Sequence, residues 1–239
     1  MTSQSCCQGC RCQNGAVDPD TGQAVGASAG ADTLRAYGGE DGDIRVARRR
    51  ATLIDAALEL LGASDGGSVT VRGVCREAGL TTRYFYESFD SIENLVGATF
   101  DQVIAEISVA ALDGFAKGEE IVDRVTGAVG AIVDIVAEDR RKGRLLFSQS
   151  LLSPTVAAKR MESTDLFAGL TLQSASGVLD VEAGPEGLAA ANFQVGGLAR
   201  VVAAWLDGHL DLDRNGVVDV SVRLMTALAD VAGSPGPST

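Results

Sequence analysis

A chain of 239 residues with 46% hydrophobic and 5% aromatic side chains can bury one good-sized core or two small ones. Its net charge of −12 excludes a protein that coats nucleic acid indiscriminately. No apolar run approaches the ~20 residues of a bilayer-spanning helix, and the N-terminus lacks the basic-then-apolar start of a secretory signal, so a cytoplasmic location away from any membrane is expected.

Residues 1–43 are rich in Gly, Ala and Asp without a period and read as a disordered arm. The arm holds four of the five cysteines, Cys6, Cys7, Cys10 and Cys12. Near-adjacent thiols can take Cu(I) or Zn, or switch with redox state. Structural zinc sites, however, use two separated pairs, and here there is neither a second pair nor a neighbouring His. No metal or other cofactor is therefore expected.

A first long helix is predicted from Ile44 to about Ser64. Ala47, Ala51, Ile54, Leu58 and Leu61 recur at steps of four and three, a single stripe. Arg45, Arg48, Arg49 and Arg50 crowd its start. Cations at a helix N-terminus oppose the macrodipole, which points to an external anion such as a phosphate. Residues 44–90 carry 7 basic and 6 acidic side chains, against 2 and 6 in residues 1–43 and 11 and 20 in residues 91–239. A DNA binder that is negative everywhere else favours one docking face. Gly66-Gly67 is the expected end of the helix.

Residues Thr70 to Phe89 read TVRGVCREAGLTTRYFYESF. Val71, Val74, Cys75 and Ala78 give a short helix one apolar face, with Thr70 as its cap. Gly79 follows where a positive φ is easiest for Gly. Thr81 can cap a second helix that turns Thr82, Arg83, Tyr84 and Tyr86 outward and Phe85 and Phe89 inward. A short helix, a Gly turn and a second helix with Arg and Tyr on its polar face is the pattern of a helix-turn-helix that reads the DNA major groove.

At this point the run GLTTRYFYESFDSIENL resembles the recognition segment of the tetracycline-repressor (TetR) family of bacterial transcription regulators. The residues that carry the resemblance are Gly79, Leu80, Thr81, Tyr86, Phe89, Ser91, Glu93 and Leu95, with the basic run upstream and the Val71-Arg72 pair. It spans about Ile44 to Val103; the rest of the chain matches in length and helical pattern alone. The chain departs from the pattern at Glu87 and Ile92, where many members place a His and a Lys that serve the phosphate backbone.

Ser91 opens a longer helix whose apolar face is Ile92, Leu95, Val96, Thr99, Phe100, Val103, Ile104 and Ile107. Lys117-Gly118 breaks it. Helices are predicted next at Ile121–Ala137 and Arg140–Leu152. Pro154 opens another, with an interruption expected near Ser163-Thr164. Pro185 suits a first helical position, in a helix running to about Leu206; Gly196-Gly197 inside it reads as a place where another helix, a partner subunit's, comes close. Val217–Val231 is the last helix. Asp211, Asp213, Asn215 and Gly216 match half of a calcium loop, but its twelfth position is Val222 and not the bidentate Glu, so the stretch reads as an ordinary turn. His209 is the only His, which leaves no Ser-His-Asp or Cys-His set to draw, and no phosphate-cradling Gly loop occurs.

The expected fold is all-α, about nine helices: a three-helix head at 44–90, a larger body at 91–232 and a flexible tail at 233–239. The resemblance implies a ligand-responsive repressor, not an enzyme, that binds a palindromic double-stranded operator as a homodimer through its last two long helices. Arg83, Thr82 and Thr81 are assigned to base edges; Arg45, Arg48, Arg49, Arg72, Tyr84 and Tyr86 to phosphates, with Thr70 beside them. Phe100, Phe147, Met161, Phe167, Phe193 and Trp205 are candidates to line a pocket for a small apolar effector. Gly196, Gly197, Val201, Leu224 and Leu228 are candidates for the dimer face. A constitutive DNA binder without effector, and a metal or redox sensor built on the four N-terminal cysteines, remain as alternatives.

Overall fold

The structure, a computed structural model, describes residues 42–63, 69–147, 153–178 and 184–232. Cys6, Cys7, Cys10, Cys12, Gly66-Gly67 and the tail lie outside the described residues. Those described form nine α-helices and no strand: α1 (Gly42–Gly62), α2 (Val71–Glu77), α3 (Thr82–Tyr86), α4 (Ile92–Lys117), α5 (Ile121–Glu138), α6 (Arg140–Phe147), α7 (Pro154–Val178), α8 (Pro185–Leu206) and α9 (Arg214–Ala232).

Local chemistry sets most of the ends. The Thr70 hydroxyl accepts from Gly73 N at 3.1 Å at the start of α2, and Ser91 Oγ accepts from Asn94 N at 3.2 Å at the start of α4. Gly79, at φ 63°, makes the turn between α2 and α3. Thr81 takes the N-cap position of α3, but its hydroxyl makes no capping bond there, so the expected cap is positional only. Asp213 Oδ1 accepts from Gly216 N at 2.7 Å. This starts α9 three residues earlier than expected and makes the Asp211–Gly216 stretch a capped turn.

Three expectations are corrected. The α1 stripe is buried only from Leu53 onward; Ala47 and Ala51 are exposed. Helix α7 is not interrupted at Ser163-Thr164: both hydroxyls donate to Arg160 O at 2.9 Å, a back-bond that keeps Ser and Thr inside a helix. Helix α4, 26 residues long, is apolar and long enough to cross a bilayer by length and composition, contrary to the sequence reading. Here it is the central packing helix. Its charges are met by the body: Asp101 pairs with Lys159 at 3.0 Å and Glu106 with Lys142 at 2.6 Å.

The core is continuous through both predicted domains. Leu53, Leu58, Val74, Phe85 and Phe89 in the head pass into Leu95, Phe100 and Val103 on α4, and on to Val129, Val133, Val136 and Leu145. α4 and α5 cross closely at Gly114 and Gly127, where a Cβ on either would run into the other's backbone carbonyl. α1 lies on α6. There, a Cβ at Gly62 would collide with Arg141, and Arg144 Nη1 donates to Gly62 O at 2.8 Å, a cation on the C-terminal end of α1.

Candidate nucleic-acid interface and internal cavity

In the head, α3 is held from beneath and bare on top. Phe85 is fully buried, edge-on to Tyr86 at 5.3 Å between centroids and 6.1 Å from Phe89. Burying one such ring is worth about 1.5–3 kcal/mol, enough to seat a helix of five residues that has almost no intrinsic stability. With Phe85 inward, the opposite face is exposed: Thr81, Thr82, Arg83 (85% exposed) and Tyr86 (61%). Thr70 and Arg72, exposed at the start of α2, stand on the same unit.

The remaining predicted contacts form a small network. Glu87, the C-cap of α3, accepts from Arg83 Nε at 3.0 Å and lies 3.7 Å from Arg49 Nη2. The Arg49 guanidinium sits 4.5 Å above the Tyr84 ring, and Arg50 sits 4.3 Å above Phe89. So Arg49 and the half-buried Tyr84 brace α1 against α3 as well as facing outward. Arg45, half-buried, and Arg48, exposed, lie on the first turns of α1. The sequence marks Glu87 only as a departure from the family pattern; the structure makes it the acid that two of the predicted DNA-contacting arginines turn toward.

The body contains a cavity of about 410 Å³ between α4, α5, α7 and α8. Phe100, Phe147 and Phe167 line it. The other three pocket candidates do not. Met161 (69% exposed) and Phe193 (67%) point to solvent, and Trp205 is turned to the α8–α9 corner, where its indole N–H donates to Leu212 O at 2.8 Å. The physical reason is that helical spacing marks an apolar face without saying what covers it. Ile104, Ile107, Val125 and Ile132 make much of the wall. The polar lining residues that the sequence reading missed include Ser108, Arg160, Thr171, Gln194 and Arg200; a polar residue on the inner face of a helix leaves no mark in the apolar spacing.

Phe193 instead joins an uncovered strip on α8 and α9. Gly196 and Gly197 are exposed with open space over both, Leu188 and Leu224 are exposed, and Val201 and Leu228 are partly covered. Gln194, buried beside this strip, ties the two helices by donating to Met225 O at 2.8 Å. Cys75 is a buried free thiol, and burial raises its pKa. Among the described residues no group of three His, Cys, Asp or Glu stands close enough to hold a metal ion.

Residues 53–99 match the family model described as "Bacterial regulatory proteins, tetR family". No curated protein matches the chain. Solved structures with the same fold include a TetR-family transcriptional regulator from Streptomyces coelicolor, 21% identical with a TM-score of 0.61, covering 78% of this chain and 82% of that one. A second is a TetR-family regulator from Syntrophomonas wolfei, 11% identical with a TM-score of 0.66, covering 77% and 96%. A third is the regulator FadR from Bacillus subtilis in complex with stearoyl-CoA, 14% identical with a TM-score of 0.58, covering 75% and 97%.

Proposed function

We propose that this chain, whose head belongs to the bacterial tetR family by residues 53–99 and whose helical body shares the fold of its solved members, is a ligand-responsive repressor. In this reading a homodimer grips a palindromic operator and releases it when a small molecule fills the body cavity. The observation that carries the proposal is the seating of α3. One ring, Phe85, anchors it, and its far side offers Thr82, Arg83 and Tyr86 within residues 44–90, which carry 7 basic and 6 acidic side chains while residues 1–43 and 91–239 are net acidic.

The division of labour follows from reach and chemistry. Arg83, with its planar fork, reads a guanine edge, worth about 1–3 kcal/mol of discrimination. Thr81 and Thr82 flank it. Arg45, Arg48, Arg49, Arg72, Tyr84 and Tyr86, with Thr70, fix the register on phosphates. The uncovered strip of Phe193, Gly196, Gly197, Leu224 and Leu228 favours a second copy as its cover, since small and apolar residues let helices approach. Such a dimer sets two α3 helices in successive major grooves, about 34–36 Å apart. DNA as partner goes with a cytoplasmic location.

The cavity supports an effector, as does the stearoyl-CoA held by a structural neighbour on the same fold. Ligand that binds better to the conformation with widely spaced heads shifts the dimer away from DNA by its differential affinity alone. Selection of bound duplexes from a random pool tests the reading. A palindrome with half-sites one helical turn apart is expected. Recovery of single half-sites, or no enrichment, would overturn it.

A further inference from the structure

We propose that the body cavity takes a flat, uncharged aromatic molecule that carries oxygen atoms at more than one edge, one of them held by Ser108. This rests on the reading of the cavity as the effector site, and deepens it by naming the chemistry of the ligand.

The first observation is where the rings stand. The chain has seven phenylalanines, and four of them, Phe100, Phe115, Phe147 and Phe167, line this one cavity. They come from three helices, α4, α6 and α7. Aromatic rings gain from edge-on and offset face contacts beyond the area they bury. A flat ring system meets such walls with that gain, and a saturated chain does not. At about 410 Å³ the space lies in the lower part of the ~300–1,000 Å³ range of ligand pockets, which suits a compact ring system.

The second observation is where the polar atoms stand. Ser108 Oγ, on the α4 wall, is buried with no hydrogen-bond partner among the described residues. Such a hydroxyl carries a desolvation cost that a ligand oxygen removes. Elsewhere on the wall, Thr171 on α7 and the buried Gln194 on α8 add neutral polar groups. Gln194 Nε2 donates to Met225 O at 2.8 Å, which orients the amide and leaves its carbonyl oxygen able to accept from a ligand. The polar groups thus sit on separate helices. A ligand with one polar head and a hydrocarbon tail would serve one of them and cover the others with methylenes. Oxygens at more than one edge of a ring system serve several at once. A sugar would go too far the other way and set hydroxyls against Phe and Ile.

The third observation is the kind of polar group. Among the described residues the lining includes no Asp or Glu, so an ammonium would enter without a counter-charge. Of its two arginines, Arg160 directs Nη2 to Leu145 O at 2.9 Å, and Arg200 is exposed, where water and salt screen it. The other polar lining groups are hydroxyls and an amide, which match phenol, ether and carbonyl oxygens.

Equilibrium dialysis of the full chain against four probes at neutral pH tests this. They are trans-4,4′-dihydroxystilbene, trans-stilbene, stilbene-4,4′-dicarboxylate and dodecane-1,12-diol: rings with neutral oxygens, rings without them, rings with charged ends, and the same two hydroxyls on a chain. Dihydroxystilbene should bind about tenfold or more tighter than each of the others. Ser108→Ala removes a hydroxyl that has no partner to lose, so the fold should tolerate it. It should weaken dihydroxystilbene about fivefold and leave stilbene unchanged. Thr171→Val, nearly the same shape, should act in the same way. Unchanged binding of dihydroxystilbene to Ser108→Ala would overturn the assignment of that residue. Tighter binding of the dicarboxylate or the chain diol would overturn the uncharged aromatic ligand while leaving the cavity an effector site. If none of the four binds, the effector reading falls together with the ligand class.

Discussion

Glu87 is the residue on which the behaviour of the head turns. It stands within 3.0 Å of Arg83 and 3.7 Å of Arg49, so each must give up an intramolecular partner before it meets DNA. Arg83 is exposed and Arg49 and Glu87 are partly exposed, and such surface pairs are worth about 0.2–1 kcal/mol. The acid is therefore a brake of modest strength rather than a lock. Glu87→Gln should tighten operator binding about twofold to fivefold, and should steepen the salt dependence by about 0.9 for each further phosphate that an arginine neutralises, seen by anisotropy titration over a salt series. Looser binding would show that Glu87 holds Arg83 in its productive pose. The companion test separates reading from gripping: Arg83→Ala should flatten sequence preference, while Arg48→Ala should weaken all duplexes alike. If preference survives Arg83→Ala, the base reader lies elsewhere. The Arg83–Glu87 spacing of four residues is legible in the sequence as a helical pair. The approach of Arg49 from α1 is not, because it depends on how two helices cross.

Among the elements, what can be read from sequence is what repeats along one helix. The limits of α4, α5 and α8 follow from Ser91, Lys117-Gly118 and Pro185, and the turn at Gly79 from the need for a positive φ. What cannot be read is which neighbour covers a face. Phe193 and Phe167 are equally apolar and equally helical, yet one lies bare on α8 and the other lines the cavity. The close crossing of α4 on α5 at Gly114 and Gly127 is of the same kind: neither glycine is marked by a turn. Gly127→Ala puts a methyl against the Gly114 carbonyl and should force the helices apart, at a cost of about 1–3 kcal/mol by denaturant unfolding. Because both helices wall the cavity, the same variant should alter ligand affinity as well. Unchanged stability would mean that the crossing has slack the structure does not show.

Across the whole molecule, two kinds of contact join head to body, and their sizes differ. Arg141 on α6 reaches Glu59 at 2.9 Å and Asp55 at 3.5 Å on α1, and Asp139 at 2.8 Å beside it. The hydrogen bond from Arg141 holds the Asp139 carboxyl below its usual range, so its share of stability is present above the ordinary carboxylate range and is lost as pH falls through the lowered value. With Arg141 34% exposed, this cluster is a surface network, and each pair contributes no more than about 1 kcal/mol. The other contact is hydrocarbon: fully buried Leu145 stands in the unbroken core that runs from Leu53 and Leu61 through Phe100 to Val136. Truncating a leucine in such a place costs about 2–5 kcal/mol. If the core is what makes head and body one cooperative unit, the wild-type chain should unfold in a single transition followed alike by far-UV dichroism and by Trp205 fluorescence. Leu145→Ala should lower its midpoint strongly while keeping one step, and Arg141→Ala should lower it only slightly. Two separated transitions in the wild type would mean that the shared core does not bind the two parts. Signals from the cavity would then have to reach α3 through the Arg141 cluster, and Arg141→Ala would become the variant that cuts them.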